Sequence, residues 1–304
     1  MKLAPSKCIL CHCSGRPEVW NGLEILICPD CSLAWRVSFD LPDDYYDTVE
    51  VDNQNSKKKK RERNTFDQID TLRKFLPPDN IYDLGSGDGT FLTALKERGY
   101  KNCVGLEPGE NGLRISKQRG LNVFQGKIND LTKVVNGKKI KGATLFHLLE
   151  HLSDPRETLK IIRSNLTENG VLVMETPNST APIQRITNHK NHLVYPEHLF
   201  YWNKKSLIKL LDQSGYQIIV IKYRSFDWQK ASISNSLLRL GFKISKNEEK
   251  NKNDSNHFEQ NNDTNQDNEK RGSVRTIVRT ILAHAVHVLR RDDYVIIVAT
   301  PHKN

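Results

Sequence analysis

Asn80-Ile81-Tyr82-Asp83-Leu84-Gly85-Ser86-Gly87-Asp88-Gly89-Thr90-Phe91-Leu92 is the stretch that decides the fold. Ile81 to Leu84 is a short apolar run that reads as a strand, and Phe91, Leu92 and Leu95 follow at helical spacing. The G-x-G-x-G between them suits a sharp turn that a ligand can approach closely, because a Cβ there would collide. A second apolar strand, Asn102 to Leu106, then ends in Glu107. An acid at the tip of the second strand of such a unit is placed to accept both ribose hydroxyls of an adenosine.

Outward from this unit, strand patterns recur at Leu121–Gln125, Ala143–His147, Gly170–Thr176, Tyr216–Tyr223 and Tyr294–Thr300. Helical patterns separate them at Asn111–Arg119, Pro155–Leu166 and Lys204–Ser214. The alternation predicts an α/β chain: a Rossmann-like, seven-stranded, mostly parallel sheet with helices on both faces and a ligand crevice at the carboxyl ends of the strands. Two cofactors compete for the loop. A dinucleotide site wants G-x-G-x-x-G to set a helix N-terminus on pyrophosphate, but Thr90 stands where the third glycine belongs. Asp83 and Asp88 would repel pyrophosphate, whereas an acid suits an ammonium group. S-adenosylmethionine (SAM), which has no phosphate and carries an amino-acid tail, therefore fits better than NAD or an unused fold, with Asp83, Gly85, Ser86, Gly87, Gly89 and Glu107 around it.

The 304 residues suggest about two domains. At 37 % hydrophobic and 27 % charged, the chain can bury a core, and its net charge of +10 favours acidic partners. No run of about 18 apolar residues is present to span a membrane. Met1 to Pro5 leads into cysteines rather than an apolar leader, so a cytoplasmic location is expected.

Cys8/Cys11 and Cys28/Cys31 form two C-x-x-C knuckles joined by a weakly alternating segment around Trp20 to Ile27. Such pairs can set four thiolates tetrahedrally around Zn²⁺, which predicts a small zinc ribbon over residues 1–40. With four sulfurs the metal has no open position, so its role is structural. Redox cysteines or disulfides are the alternative, and His12 and Cys13 are substitute ligands. Cys103, in a strand pattern, reads as a small buried hydrophobe.

A linker and helix occupy 41–79. The basic run Lys57 to Arg61 opens that helix, Phe66, Ile69, Leu72, Phe75 and Leu76 continue it, and Pro77-Pro78 ends it. The main domain is expected over 80–224 and its last strand over 293–304. Between them, 225–292 reads as a helical insertion whose asparagine-rich segment 247–272 cannot offset its ordering entropy. A basic amphipathic helix at 274–291 packs on the domain or a twin subunit, with contact to a membrane surface as the alternative. The oligomeric state is left open.

Tyr82 to Gly89, Leu106-Glu107-Pro108, His147 to Pro155, Gly170 to Asn178 and Glu197 to Trp202 together resemble the class I SAM-dependent methyltransferases. With the zinc knuckles, the chain is similar to those associated with sugar and polysaccharide synthesis, including deoxysugar C-methyltransferases. The resemblance covers about 8–224 plus the final strand and implies that this strand enters antiparallel. It also implies that Ile128 packs on the adenine, that Asn129 bonds its amine and that His147 lines the SAM pocket. Tyr195-x-Glu197-His198 resembles the proposed bases of that group, which makes His198 the leading base, assisted by Tyr195 and Glu197. His147-x-x-Glu150-His151 matches an inverted zinc-protease pattern, but with no third ligand evident it reads as crevice floor. The implied function is methyl transfer to a small-molecule acceptor, most simply a sugar nucleotide or glycan precursor, at C or O. RNA methylation and a non-catalytic SAM- or zinc-dependent interaction module are the alternatives.

Overall fold

The computed structural model describes residues 4–38, 55–190, 193–224 and 293–302, with the backbone alone for 55–63. The expected insertion, its loop 247–272 and the helix 274–291 lie outside the described residues, as do most of the linker and His192.

The N-terminal unit is a sheet of β1 (Arg16–Trp20), β2 (Leu23–Ile27) and β3 (Ala34–Arg36). Asn21-Gly22 joins β1 to β2 with φ of 49° and 83°, the positive values that a two-residue hairpin turn needs. The two cysteine knuckles are built alike. Cys8 N donates to Cys13 O and Cys28 N to Leu33 O, while His12 N and Ser32 N return to Cys8 O and Cys28 O. His12 and Ser32 both take positive φ, 59° and 56°. His12 is therefore a turn residue at the place that Ser32 holds in the second knuckle.

The main domain opens with α1 (Asn55–Leu72), followed by β4 (Ile81–Leu84), α2 (Thr90–Glu97), β5 (Val104–Glu107), α3 (Glu110–Gln118), β6 (Val123–Gln125) and α4 (Leu131–Val135). It continues through β7 (Ile140–Phe146), α5 (Pro155–Asn165), β8 (Leu166–Pro177), α6 (Pro182–Ile186), β9 (Phe200–Tyr201), α7 (Lys204–Gln213), β10 (Tyr216–Arg224) and β11 (Tyr294–Pro301). Local signals start the helices. Pro155 opens α5 behind Asp154, whose carboxylate caps Glu157 N at 3.0 Å. Asn203 and Ser206 form a reciprocal capping box on α7.

The large sheet runs β10-β11-β8-β7-β4-β5-β6. β6, β5, β4, β7 and β8 pair in parallel, and β11 enters antiparallel between β8 and β10. This is the expected seven-stranded sheet with its reversed last strand. The N-terminal unit does not stand apart from it. β9 adds to the small sheet beside β3, with Ala34 opposite Tyr201 and Trp35 opposite Phe200. Leu10, Leu33 and Trp35 share one buried core with Leu145, Trp202, Leu210 and Tyr216 of the large domain. Asn203 Nδ2 also donates to Cys31 O and Ser32 O, which ties the second knuckle to the start of α7. Among the described residues, no helix is long and apolar enough to cross a membrane.

Candidate active site

The glycine loop leaves β4 at the carboxyl edge of the sheet. Gly85, Gly87 and Gly89 all have positive φ, 74°, 53° and 75°. At Gly89 a Cβ would lie 2.3 Å from Leu121 Cδ1, so only glycine lets α2 begin there. At Gly87 a Cβ would meet nothing within 4 Å. Open space over that backbone is what an approaching ligand requires.

Glu107, at the tip of β5, is buried against this loop. Gly87 N donates to one of its carboxylate oxygens at 2.7 Å, and Gly109 N to the other at 2.8 Å. The two bonds hold the acid at the mouth of the loop. Asp83, one strand over, is buried and accepts from Thr144 Oγ1 at 2.7 Å. Burial, then Thr144 acting against it and the nearby Glu107 acting with it, leaves its carboxyl pushed up to about 7. Ser86 is buried, and its hydroxyl has no hydrogen-bond partner.

Asp88, which the loop position suggests for an ammonium group, is engaged by its own neighbours. Its carboxylate takes Thr90 N and Thr90 Oγ1 at the start of α2 and pairs with Arg119 at 3.3 Å. Ile128 is buried in the domain core, and Asn129 beside it is exposed.

After β7 the chain turns at His147, which has positive φ (53°) and a side chain 43 % exposed. Its Nε2 lies 2.9 Å from Glu175 and its Nδ1 3.7 Å from Glu150. Burial disfavours the charged ring, but the two carboxylates outweigh it and push His147 up to about 9. Glu175 is an acid inside the apolar strand β8. Burial would raise its pKa, yet His147 and Arg224 hold it down to about 2. Gln68 from α1 adds a bond at 2.8 Å, and Arg224 from β10 pairs with the same carboxylate. The sequence reading missed this network, although one signal was visible: a glutamate directly after the apolar run Val171 to Met174 needs a buried partner. The segment also contacts the loop, since a Cβ on Gly85 would meet Leu148 at 3.0 Å.

The structure brings the predicted His198 up to this turn. Its ring is 6 % exposed and sits edge-on to His151 (centroids 4.9 Å apart) and Tyr195 (5.3 Å). Burial pulls it down to about 4. Tyr195 is 44 % exposed, and its carbonyl accepts from Tyr201 Oη. Glu197 is half-buried and is fixed through its backbone, whose carbonyl accepts from His151 Nδ1 at 3.1 Å. His189 lies apart from this group, stacked on Trp20 of the small sheet at 3.9 Å with the planes 1° apart.

Cys8, Cys11, Cys28 and Cys31 bring their sulfurs within 4.8 Å of one another. Cys8 and Cys31 are 3.7 Å apart, close to the roughly 3.8 Å that Zn–S bonds of about 2.3 Å give in a tetrahedron. A hydrogen bond from Cys31 pulls Cys8 down to about 5 against its burial. All four thiols are unpaired as disulfides, and Lys209 Nζ approaches Cys11 Sγ at 3.1 Å. The donor set fits zinc. Cys13 is outside it, with its sulfur 3.5 Å from Asp30.

Comparison with known proteins completes the picture. A tRNA U34 carboxymethyltransferase of Campylobacter hominis is 30 % identical over 121 residues, 37 % of this chain and 41 % of that protein. The match thus spans less than half of this curated relative's length. A SAM-dependent methyltransferase from Archaeoglobus fulgidus superposes with a TM-score of 0.50 at 20 % identity, covering 82 % of this chain and 100 % of that one, a likeness of fold. A SAM-dependent methyltransferase from Thermotoga maritima, a possible histamine N-methyltransferase, superposes at 0.49 and 14 % identity over 81 % of this chain and 95 % of that one. The family described as a methyltransferase domain matches residues 58–221, more than half of the chain, so this chain belongs to that methyltransferase family.

Proposed function

We propose that this chain transfers a methyl group from SAM to a small-molecule acceptor, a sugar nucleotide or glycan precursor, at carbon or oxygen. The observation that carries the reading is Glu107, buried at the strand tip and held by the amides of Gly87 and Gly109 at 2.7 and 2.8 Å. SAM, when bound, would supply an electrophilic methyl group for direct transfer to the acceptor. Glu107 would hold the ribose, and the loop at Gly85, Ser86, Gly87 and Gly89 would leave room for the adenosyl group. His147 lines the floor, kept in place by Glu150 and Glu175. Ile128 and Asn129, at the turn after β6, would flank the adenine. Because the donor is already activated, the protein's main task is alignment at near-contact distance. The acceptor must also lose a proton, and Tyr195, Glu197 and His198 form the segment that acts on it.

Cys8, Cys11, Cys28 and Cys31 would hold a structural zinc, and the shared core makes that unit a wall of the main domain. The test is a calorimetric titration with SAM and its demethylated product, followed by a labelled-methyl screen over nucleotide sugars and bulk RNA. Micromolar SAM affinity with label on a nucleotide sugar is expected, and no affinity for either ligand would overturn the reading. RNA as acceptor is the second reading, favoured by the relative from Campylobacter hominis and the charge of +10; label on RNA, with binding that falls steeply with salt, would establish it instead.

A further inference from the structure

We infer that Glu150, His151 and His198 form a divalent transition-metal site, distinct from the cysteine cluster, beside the glycine loop. Each residue offers one ligand atom, and the three atoms lie within 4.8 Å of one another. Two imidazoles and a carboxylate are the donor set of zinc, manganese and iron sites rather than of magnesium or calcium cages.

Two buried atoms carry the argument. Glu150 Oε1 and His198 Nδ1 are both buried and lack a hydrogen-bond partner. Leaving such a group unsatisfied costs about 1–3 kcal/mol, and a shared cation would satisfy both at once. His147 does not serve Glu150 in this way, since its Nδ1 stands 3.7 Å off and its Nε2 is committed to Glu175.

The surroundings are those of ligands held in place. Metal-binding histidines usually donate their second ring nitrogen to a carbonyl, which fixes the tautomer. His151 Nδ1 meets the Glu197 carbonyl at 3.1 Å, and a carbonyl can only accept, so that nitrogen carries the proton. The His198 ring is likewise bonded to the backbone of Leu193, while its Nδ1 has no partner. Glu150 is fixed by Thr176 Oγ1, which donates to Oε2 at 3.0 Å. Its own carbonyl accepts from Leu199 N at 2.8 Å, which pins the His198 segment to this turn. The H-x-x-E-H pattern thus contributes its last two residues, and its first His goes elsewhere.

Three protein ligands leave a position open, as catalytic rather than structural metal sites do. Given the proposed methyl transfer, on which this part rests, the open position takes an oxygen of the acceptor. His198 is then a ligand that presents the acceptor, and Tyr195 and Glu197 remain as the groups near its proton.

The test uses the full chain with its cysteine site filled with zinc, titrated with Mn²⁺ and followed by electron paramagnetic resonance and calorimetry. One Mn²⁺ per chain is expected. His198→Ala and the isosteric Glu150→Gln should each weaken it at least tenfold, with an unchanged circular-dichroism spectrum and cooperative thermal unfolding as the check on folding. Elemental analysis after Zn²⁺ loading should give two equivalents in the parent and one in the variants. No Mn²⁺ binding and no second zinc, or binding in both variants as tight as in the parent, would overturn the site. Metal binding without SAM binding would instead sink the methyltransferase reading and leave the site standing.

Discussion

Replacing Glu107 with Gln tests the adenosine site while keeping the volume of the side chain. In the parent, both carboxylate oxygens accept backbone N–H bonds, at 2.7 Å from Gly87 and 2.8 Å from Gly109. Hydrogen bonds to a charged group contribute about 1.5–3 kcal/mol each. Glutamine keeps one acceptor and turns an NH₂ donor against the other amide, so one bond is lost and a buried donor is left facing a donor. We expect a stability loss of about 2–3 kcal/mol on that count. For SAM the loss is of similar size, because one of the two ribose hydroxyls loses a charged acceptor and the carboxylate mount loosens. A loss of about 1.5–3 kcal/mol corresponds to roughly 10- to 150-fold weaker binding. Calorimetric titration at a temperature where both proteins are folded measures the affinity, and thermal unfolding measures the stability. If Glu107→Gln bound SAM within twofold of the parent, the assignment of this acid to the ribose would be refuted, whatever happened to stability.

Gly89→Ala should cost about 2–4 kcal/mol, from a left-handed backbone that disfavours a Cβ and from the contact with Leu121 at 2.3 Å; an unchanged melting temperature would contradict it. Asp83 titrates near 7 in the fold, against about 3.9 unfolded. Because the folded form holds the proton more tightly, Asp83 makes the protein less stable as pH rises from about 4 to 7, by up to roughly 4 kcal/mol. Thermal unfolding of the parent and Asp83→Asn at pH 5 and pH 8 should show the variant gaining relative stability at the higher pH, and a pH-independent difference would rule this out. The double change Cys28→Ser with Cys31→Ser should lower bound zinc by about one equivalent by elemental analysis. It should also lower the melting temperature of the whole chain, since the knuckles share a core with α7 and β9; melting unchanged on metal loss would show that the unit is not part of that core.

Much of the frame was legible because its signals are local. Strand runs such as Tyr294–Thr300, the Pro155 helix start and the glycine loop depend on residues within a few positions of one another, and they appear in the structure within one to four residues of the expected bounds. The paired knuckles were equally readable, because C-x-x-C spacing is a local turn geometry. The partner of Asp88 was not legible, since a loop acid's partner is invisible in sequence: Arg119, at the end of α3, pairs with it.

The residue order alone settled the αβ alternation, the acid at the tip of the second strand and the four-thiol cluster, because backbone sterics and metal-ligand spacing act over short range. Folding in three dimensions decided which distant groups meet. It set β9 against β3, Glu175 against His147 and Arg224, and His198 against Glu150 and His151. Those encounters are chosen by burial of apolar surface across the whole domain, which drags polar side chains tens of residues apart into contact with no local trace of the pairing.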